Sequence, residues 1–278
     1  MPEQSHLPEY PAVSLSDSEL EEYTNFLHTL VDISGEVIRP YFRSTMTVEN
    51  KAQKQAYDPV TEADQGAETA IREKIHSAYP RHGVYGEEHG YEAGDSGLIW
   101  VIDPIDGTRA FVAGLPVWGT LIGLYNGEHA VLGVMDQPYT RERFIGSRLG
   151  GQFTGPENQT ILSSSSCTEL AQASLCSTHP ELFQTEREKA AFQSLTGKVQ
   201  SVRYGGDCYF YSLLAYGLVD LVVESGLAPY DIVALIPIIE SAGGIVTTWD
   251  GLPGHNGGQI LAASTPELHS QAMQVLAN

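Results

Sequence analysis

Basic residues are scarce in this chain. Its 278 residues include 15 lysines and arginines against 35 aspartates and glutamates, a formal net charge of -20. No basic stripe is available to neutralise a phosphate backbone, so nucleic acid is not an expected partner. Cysteine is scarce too. Cys167, Cys176 and Cys208 are odd in number and show no C-x-x-C spacing. This argues against a disulfide framework or a zinc knuckle and fits a reducing, cytoplasmic setting. The first twenty residues lack the basic-then-apolar pattern of a secretory leader. Long apolar runs are missing as well: the longest, 209–219, contains Ser212 and stops at Asp220. It is too short to span a bilayer, so no membrane partner is expected.

What remains is an ordinary globular composition, 42% apolar and 18% charged, in a length that supports one large domain or two packed halves. Residues 1–16 read as a loose polar tail. Ser16 or Asp17 starts a helix that Pro40 stops, residues 44–57 form a polar loop, and Thr61 or Asp64 opens a second helix ending before Pro80. The run 98–102 reads as a buried strand. Two apolar runs flank Asn126-Gly127, a hairpin signal for a type I′ turn. Residues 143–146 add a strand. Beyond Gly150-Gly151 the pattern alternates: strand 173–177, helix 183–195, strand 198–204, helix 207–218, strand 219–223, helix 230–242, strand 245–248. The reading is an antiparallel α+β half over 1–150 and an α/β half with a mixed sheet over 151–278.

The chemistry concentrates in Trp100–Phe111, WVIDPIDGTRAF. An apolar strand runs into two carboxylates, Asp103 and Asp106, on what reads as a short exposed turn stiffened by Pro104 and opened by Gly107. Thr108 then starts a short helix, 108–113. Carboxylate and carbonyl oxygens suit Mg²⁺, and a helix start suits phosphate. An Asx-turn plus a helix cap explains the same residues without any ligand. Other acidic turns stand at Asp58–Asp64, at Gly86-Glu87-Glu88 and at Tyr230-Asp231. Each has a capping explanation, and the sequence alone does not bring them together.

In order and spacing, this set resembles the inositol monophosphatase family, over about residues 20–270. The resemblance implies a layered αβαβα sandwich with the site between its halves, and a Mg²⁺-dependent phosphomonoesterase, commonly a homodimer. Carried over residue by residue, Glu87, Asp103 and the Ile105 carbonyl hold one Mg²⁺. Asp103, Asp106 and Asp231 hold a second, and Glu87 helps hold a weaker third. Asp64 and Thr108 orient the attacking water, with Thr61 in support. The N–H groups of Gly107 and Thr108 hold the phosphate.

The stretches 111–124, 205–215 and 220–244 look like the histidinol-phosphatase branch. Inositol-type members usually have a small residue where Asp207 stands, and Glu224 lies seven residues before Asp231, where the family contacts the leaving group. Two carboxylates there suit a cationic alcohol, so L-histidinol phosphate is the expected small-molecule ester. Inositol 1-phosphate, or another small-metabolite phosphate ester handled by the same family, is the alternative, and a non-catalytic phosphometabolite-binding module a remote one. Asp207 also reads as a helix N-cap. Arg109 is a further candidate near the phosphate, though a solvated surface arginine explains it too.

Overall fold

The computed structural model describes residues 6–44, 48–50 and 59–277. Asp58 and most of the loop expected at 44–57 lie outside the described residues, as does the placement of the Thr61 side chain.

The first half opens with α1 (Asp17–Ile38). Ser16 caps it in a reciprocal pair: its hydroxyl accepts from the Glu19 N–H and the Glu19 carboxylate accepts from the Ser16 N–H, satisfying two donors that a helix start leaves over. A small pair, β1 (Val48–Asn50) and β2 (Pro59–Thr61), precedes α2 (Glu62–Ala78). Then come β3 (Gly83–Gly86), β4 (Gly90–Glu92), β5 (Ile99–Asp106), α3 (Thr108–Ala113), β6 (Gly119–Tyr125), β7 (Ala130–Gln137), β8 (Glu142–Ser147), β9 (Gly150–Thr154) and β10 (Gln159–Ile161). The strands from β3 onward form one sheet of eight in the order β10-β9-β8-β7-β6-β5-β3-β4. This sheet is mixed, not antiparallel throughout. β4 folds back on β3, and the chain then returns along β3 as β5 in the parallel sense. The sheet also runs on to Ile161.

The second half holds β11 (Ser174–Ser177), α4 (Glu186–Thr196), β12 (Ser201–Tyr204), α5 (Asp207–Ala215), β13 (Leu221–Leu227), α6 (Pro229–Ile232), α7 (Leu235–Ser241), β14 (Ile245–Thr248), β15 (Gly258–Ala263) and α8 (Pro266–Leu276). Its mixed sheet has the order β12-β11-β13-β15-β14. The helix expected over 230–242 is split at Val233-Ala234. Pro237 explains the break, because its ring excludes a helical bond back to the Val233 carbonyl.

Three apolar layers join these parts. Leu27, Leu30 and Ile71 of α1 and α2 pack on Ile122 and Val134 of the first sheet. On the other face of that sheet, Leu121, Met135 and Phe144 meet Leu214, Leu235 and Ile238 of α5 and α7, which also cover Val222 and Ile260 of the second sheet. Phe192 and Leu268 of α4 and α8 close the far side. The result is αβαβα.

Two local expectations are corrected. Residues 6–16 are not loose: Leu7 is buried beside Tyr85 and Val233, and the N–H groups of Tyr10 and Val13 donate to the Gly127 and Asn126 carbonyls. The Asn126-Gly127 hairpin is wider than a two-residue turn, because the Asn126 side chain accepts from the N–H groups of Glu128 and His129 and so draws four residues into the loop.

Candidate metal and substrate site

The site grows from β5. This strand does not end before Asp103; it continues to Asp106, and Asp103 is 2% exposed, not on an open turn. Its register with β6 slips by one residue between Asp103↔Leu121 and Asp106↔Gly119. The missing Pro104 N–H is tolerated at this bulge, where ladder bonding is interrupted. The Ile105 N–H donates to the Asp103 carboxylate at 3.0 Å, and the Thr120 hydroxyl donates to the Pro104 carbonyl at 2.8 Å. Gly107 then turns the chain with φ +81° into α3, a conformation that glycine adopts without strain. The Thr108 hydroxyl donates to the Ile105 carbonyl at 3.1 Å.

Three further elements deliver the other carboxylates, and a fourth, α5, holds Asp106. Asp64 lies in the first turn of α2 and is buried. Glu87 follows β3, and its N–H donates to the Ile102 carbonyl at 3.2 Å. Asp231 sits in α6 and accepts from the Ala228 N–H at 2.7 Å, so it caps its helix as well as facing the site. Asp106 accepts from the Cys208 N–H at the start of α5, at 2.9 Å.

The fold brings together residues that sequence alone left scattered. Asp64, Glu87 and Asp103 each offer an oxygen within 4.8 Å of the others, and so do Asp103, Asp106 and Asp231. Asp103 belongs to both groups. Asp64, expected to orient water, stands within the first of them.

Crowding shows in the electrostatics. Burial, then Glu87, Asp106, Asp231 and Asp64, push the Asp103 carboxyl well above its usual range. Burial and then Asp106 do the same to Asp231. Asp106 is pushed up to about 7 by burial and Asp207, against the hydrogen bond from Cys208. Like charges this close ionise together only if a cation joins them. The donor set fits a hard divalent cation: carboxylates and a nearby backbone carbonyl. No thiolate competes, because burial and the neighbouring carboxylates keep the Cys208 thiol well above its usual value.

Glu87, Asp103, Ile105, Asp106 and Asp231 line a cleft of ≈ 350 Å³ between the halves. Asp207 and Glu224 stand on its second-half side. Asp207 is not the cap of α5; Gly206 occupies that position, and no side chain caps the helix. Asp207 instead has φ +42°, a strained conformation of the kind that clusters at functional sites. Its side chain packs on Gly107, where an added Cβ would come within 3.0 Å of the Asp207 Cβ. Burial pushes its carboxyl up to about 6, and Arg109 opposes that rise. Arg109 also lines the cleft. Glu224 is buried and accepts from the Thr178 N–H at 2.8 Å and the Tyr211 hydroxyl at 3.1 Å.

Sequence reasoning missed one buried carboxylate beneath this site. Glu68 accepts from the N–H groups of Glu88 and His89 at 2.7 and 3.2 Å and pairs with Arg72 at 2.7 Å. A Cβ on Gly86 would lie 2.0 Å from its Oε1. Glu68 thus holds the loop that carries Glu87. The signal was visible: Asp64, Glu68 and Arg72 recur every four residues on the apolar face of α2.

Comparison with known proteins gives a consistent result. The chain matches the inositol monophosphatase family over residues 19–278. It is 43% identical to the chloroplastic bifunctional phosphatase IMPL2 of Arabidopsis thaliana over 94% of this chain and 77% of that protein. It is 36% identical to the histidinol-phosphatase of Streptomyces coelicolor over 90% and 94%. Among solved structures, an inositol monophosphatase from Zymomonas mobilis superposes with a TM-score of 0.83 at 38% identity, covering 95% of this chain and 100% of that one.

Proposed function

The chain belongs to the inositol monophosphatase family, a family of metal-dependent phosphatases, and on that footing we propose that it is a Mg²⁺-dependent phosphomonoesterase whose preferred substrate is L-histidinol phosphate. The observation that carries the proposal is one cleft with two chemically different sides. One side has two carboxylate groups that share Asp103; the other presents Asp207 and Glu224.

In this reading Glu87, Asp103 and the Ile105 carbonyl hold one Mg²⁺, and Asp103, Asp106 and Asp231 hold a second. Glu87 contributes to a weaker third. When bound, Mg²⁺ supplies Lewis acidity, neutralising phosphoryl charge and lowering the pKa of water. The chain does the rest. Asp64 and the Thr108 hydroxyl orient the attacking water, with Thr61 in support. The Thr108 hydroxyl is already held in place by the Ile105 carbonyl. The Gly107 and Thr108 N–H groups at the start of α3 hold the phosphate oxygens. Asp207 and Glu224 receive the amine and imidazole of the leaving alcohol through charge-assisted hydrogen bonds, and a cation's charge there offsets the burial that raises both carboxyls.

Inositol 1-phosphate is the second reading. Glu224 is already engaged by two donors, an arrangement equally suited to a hydroxyl, and the solved structure from Zymomonas mobilis is described as an inositol monophosphatase. The homodimer implied by the resemblance belongs to the proposal and is checked by sedimentation. So does a reducing, cytoplasm-like compartment, supported by the three free cysteines. Among the described residues, no helix is long and apolar enough to cross a membrane.

The deciding experiment is phosphate release from L-histidinol phosphate, inositol 1-phosphate, fructose 1,6-bisphosphate and adenosine 3′,5′-bisphosphate, with Mg²⁺ and with excess chelator. Chelator-sensitive preference for histidinol phosphate supports the proposal. Preference for inositol phosphate keeps the metal chemistry and removes the cation-reading role of Asp207. Absence of turnover on all four reopens the choice of ester and revives the binding-module reading.

A further inference from the structure

One buried carboxylate lies behind the second-half side of the cleft and takes no part in the chemistry above. Glu188, in the first turn of α4, is buried. Its Oε2 accepts from the N–H groups of Gln184 and Thr185, at 3.1 and 2.9 Å, and from the Thr185 hydroxyl at 2.9 Å. A helix-capping role accounts for those three bonds. It does not account for Oε1, which accepts from the Ser225 hydroxyl at 2.5 Å and the Gln259 carboxamide at 2.8 Å.

Those two donors mark a particular place. β13 pairs with β15 in register up to Glu224↔Ile260, and pairing resumes at Leu227↔Gly258. Between them, Ser225 and Gly226 on β13 stand opposite Gln259 alone, and Gly226 has φ +85°. This is a β-bulge, a device that re-aims a strand and recurs beside active sites. Glu224, Ser225, Gly226 and Leu227 all line the cleft. Glu188 therefore fastens both strands of the bulge, and through its capping bonds it also fastens the turn that follows Leu182, another residue of the cleft wall.

We propose that Glu188 is a positioning residue for leaving-group specificity: by clamping the Ser225–Gln259 bulge it fixes the wall against which the alcohol part of the ester is read. The inference rests on the proposed phosphatase activity but not on which ester is preferred. Glu188 touches neither the carboxylate clusters nor the start of α3, so the groups assigned to metal and phosphate stand apart from it. Its effect falls on discrimination between esters.

The test compares two substrates in the Mg²⁺-loaded enzyme: the ester the wild type prefers in the panel above, and glycerol 2-phosphate, whose small alcohol makes little use of the wall. Glu188→Gln keeps the shape but loses the charge that holds two donors on one oxygen. It is expected to lower kcat/KM for the preferred ester about tenfold, chiefly through KM, while changing glycerol 2-phosphate by less than about twofold. Ser225→Ala removes one clamp hydroxyl without touching the helix cap and is expected to give the same split, at about a third of the size. Equal losses on both substrates in Glu188→Gln, or an unchanged ratio in Ser225→Ala, would overturn the proposal and leave Glu188 a helix cap. A wild type that prefers an ester other than histidinol phosphate would revise the substrate reading alone, and the ratio test would stand.

Discussion

On the floor of the cleft, Asp103, Asp106 and Asp231 each accept a single backbone N–H and lie within reach of one another's charge. Behind its second-half wall, Glu188 is ringed by five donors. Both regions bury carboxylates, and burial raises both, yet the net result is opposite. The floor carboxyls are driven upward. At Glu188, burial also pushes upward, but the bonds from Ser225, Gln259 and Thr185 outweigh it and hold the carboxyl at about 2. A carboxylate satisfied by protein donors is part of the scaffold, whereas carboxylates that crowd each other call for a cation from outside. Glu224, with two donors and a carboxyl still pushed up to about 7 by burial, stands between the two cases.

The sharpest way to break the comparison is at the floor. Asp106→Asn should lower turnover by about 10³-fold or more, since on the proposed assignment it removes a Mg²⁺ ligand and with it several kcal/mol of transition-state stabilisation. Folding should survive. One like charge leaves the cluster, so the thermal midpoint without Mg²⁺ should be unchanged or raised, while the stabilisation gained on adding Mg²⁺ should shrink. A variant that keeps wild-type phosphate release would remove Asp106 from the metal set.

Next in size is Asp207→Ala. A charge-assisted hydrogen bond is worth about 1.5–3 kcal/mol, so KM for histidinol phosphate should rise by about one to two orders of magnitude, with inositol 1-phosphate nearly unaffected. Equal shifts in steady-state KM for both esters would sink the cation-reading role. Glu68→Gln should act on the metal rather than the ester. It weakens the hold on the Glu88 and His89 N–H groups, and the Mg²⁺ concentration for half-maximal activity should rise about 10- to 100-fold. A Mg²⁺ titration that overlays the wild type would show that the loop after β3 holds itself.

How much of this was legible in the sequence follows from how local each feature is. The acidic turns, α1 with its Ser16 cap and the short helix after Gly107 are written in adjacent residues. Read from sequence, β5 ends four residues too early, because Pro104 looks like a terminator until the bulge opposite β6 is known. Glu68 and Arg72 could have been found from their spacing on α2. β15 and α8 were also not anticipated, although Thr265-Pro266 is a serviceable helix start. The docking of Leu7 and the Glu188 clamp were beyond reach. Each depends on segments far apart in the chain, and no local pattern specifies which distant donors a lone glutamate will meet.

The smallest expected effect tests the satisfied side of the comparison through pH. The Glu188 carboxyl lies at about 2 in the folded chain, below its ordinary 4.5. A folded pKa below the unfolded one means that the unfolded chain binds the extra proton in that window. The stabilisation is then fully present above about pH 4.5 and is lost as pH falls toward 2. The stability difference between wild type and Glu188→Gln, read from urea midpoints, should be largest near neutrality and should shrink across that acid window. The floor carboxyls carry the opposite sign, since their folded values are raised, so Mg²⁺ is kept saturating at every pH where it still binds, and the difference between the two chains is taken at each pH. A difference that stays constant from pH 6 to 3 would mean that the ionised form of Glu188 is not what holds Ser225 and Gln259.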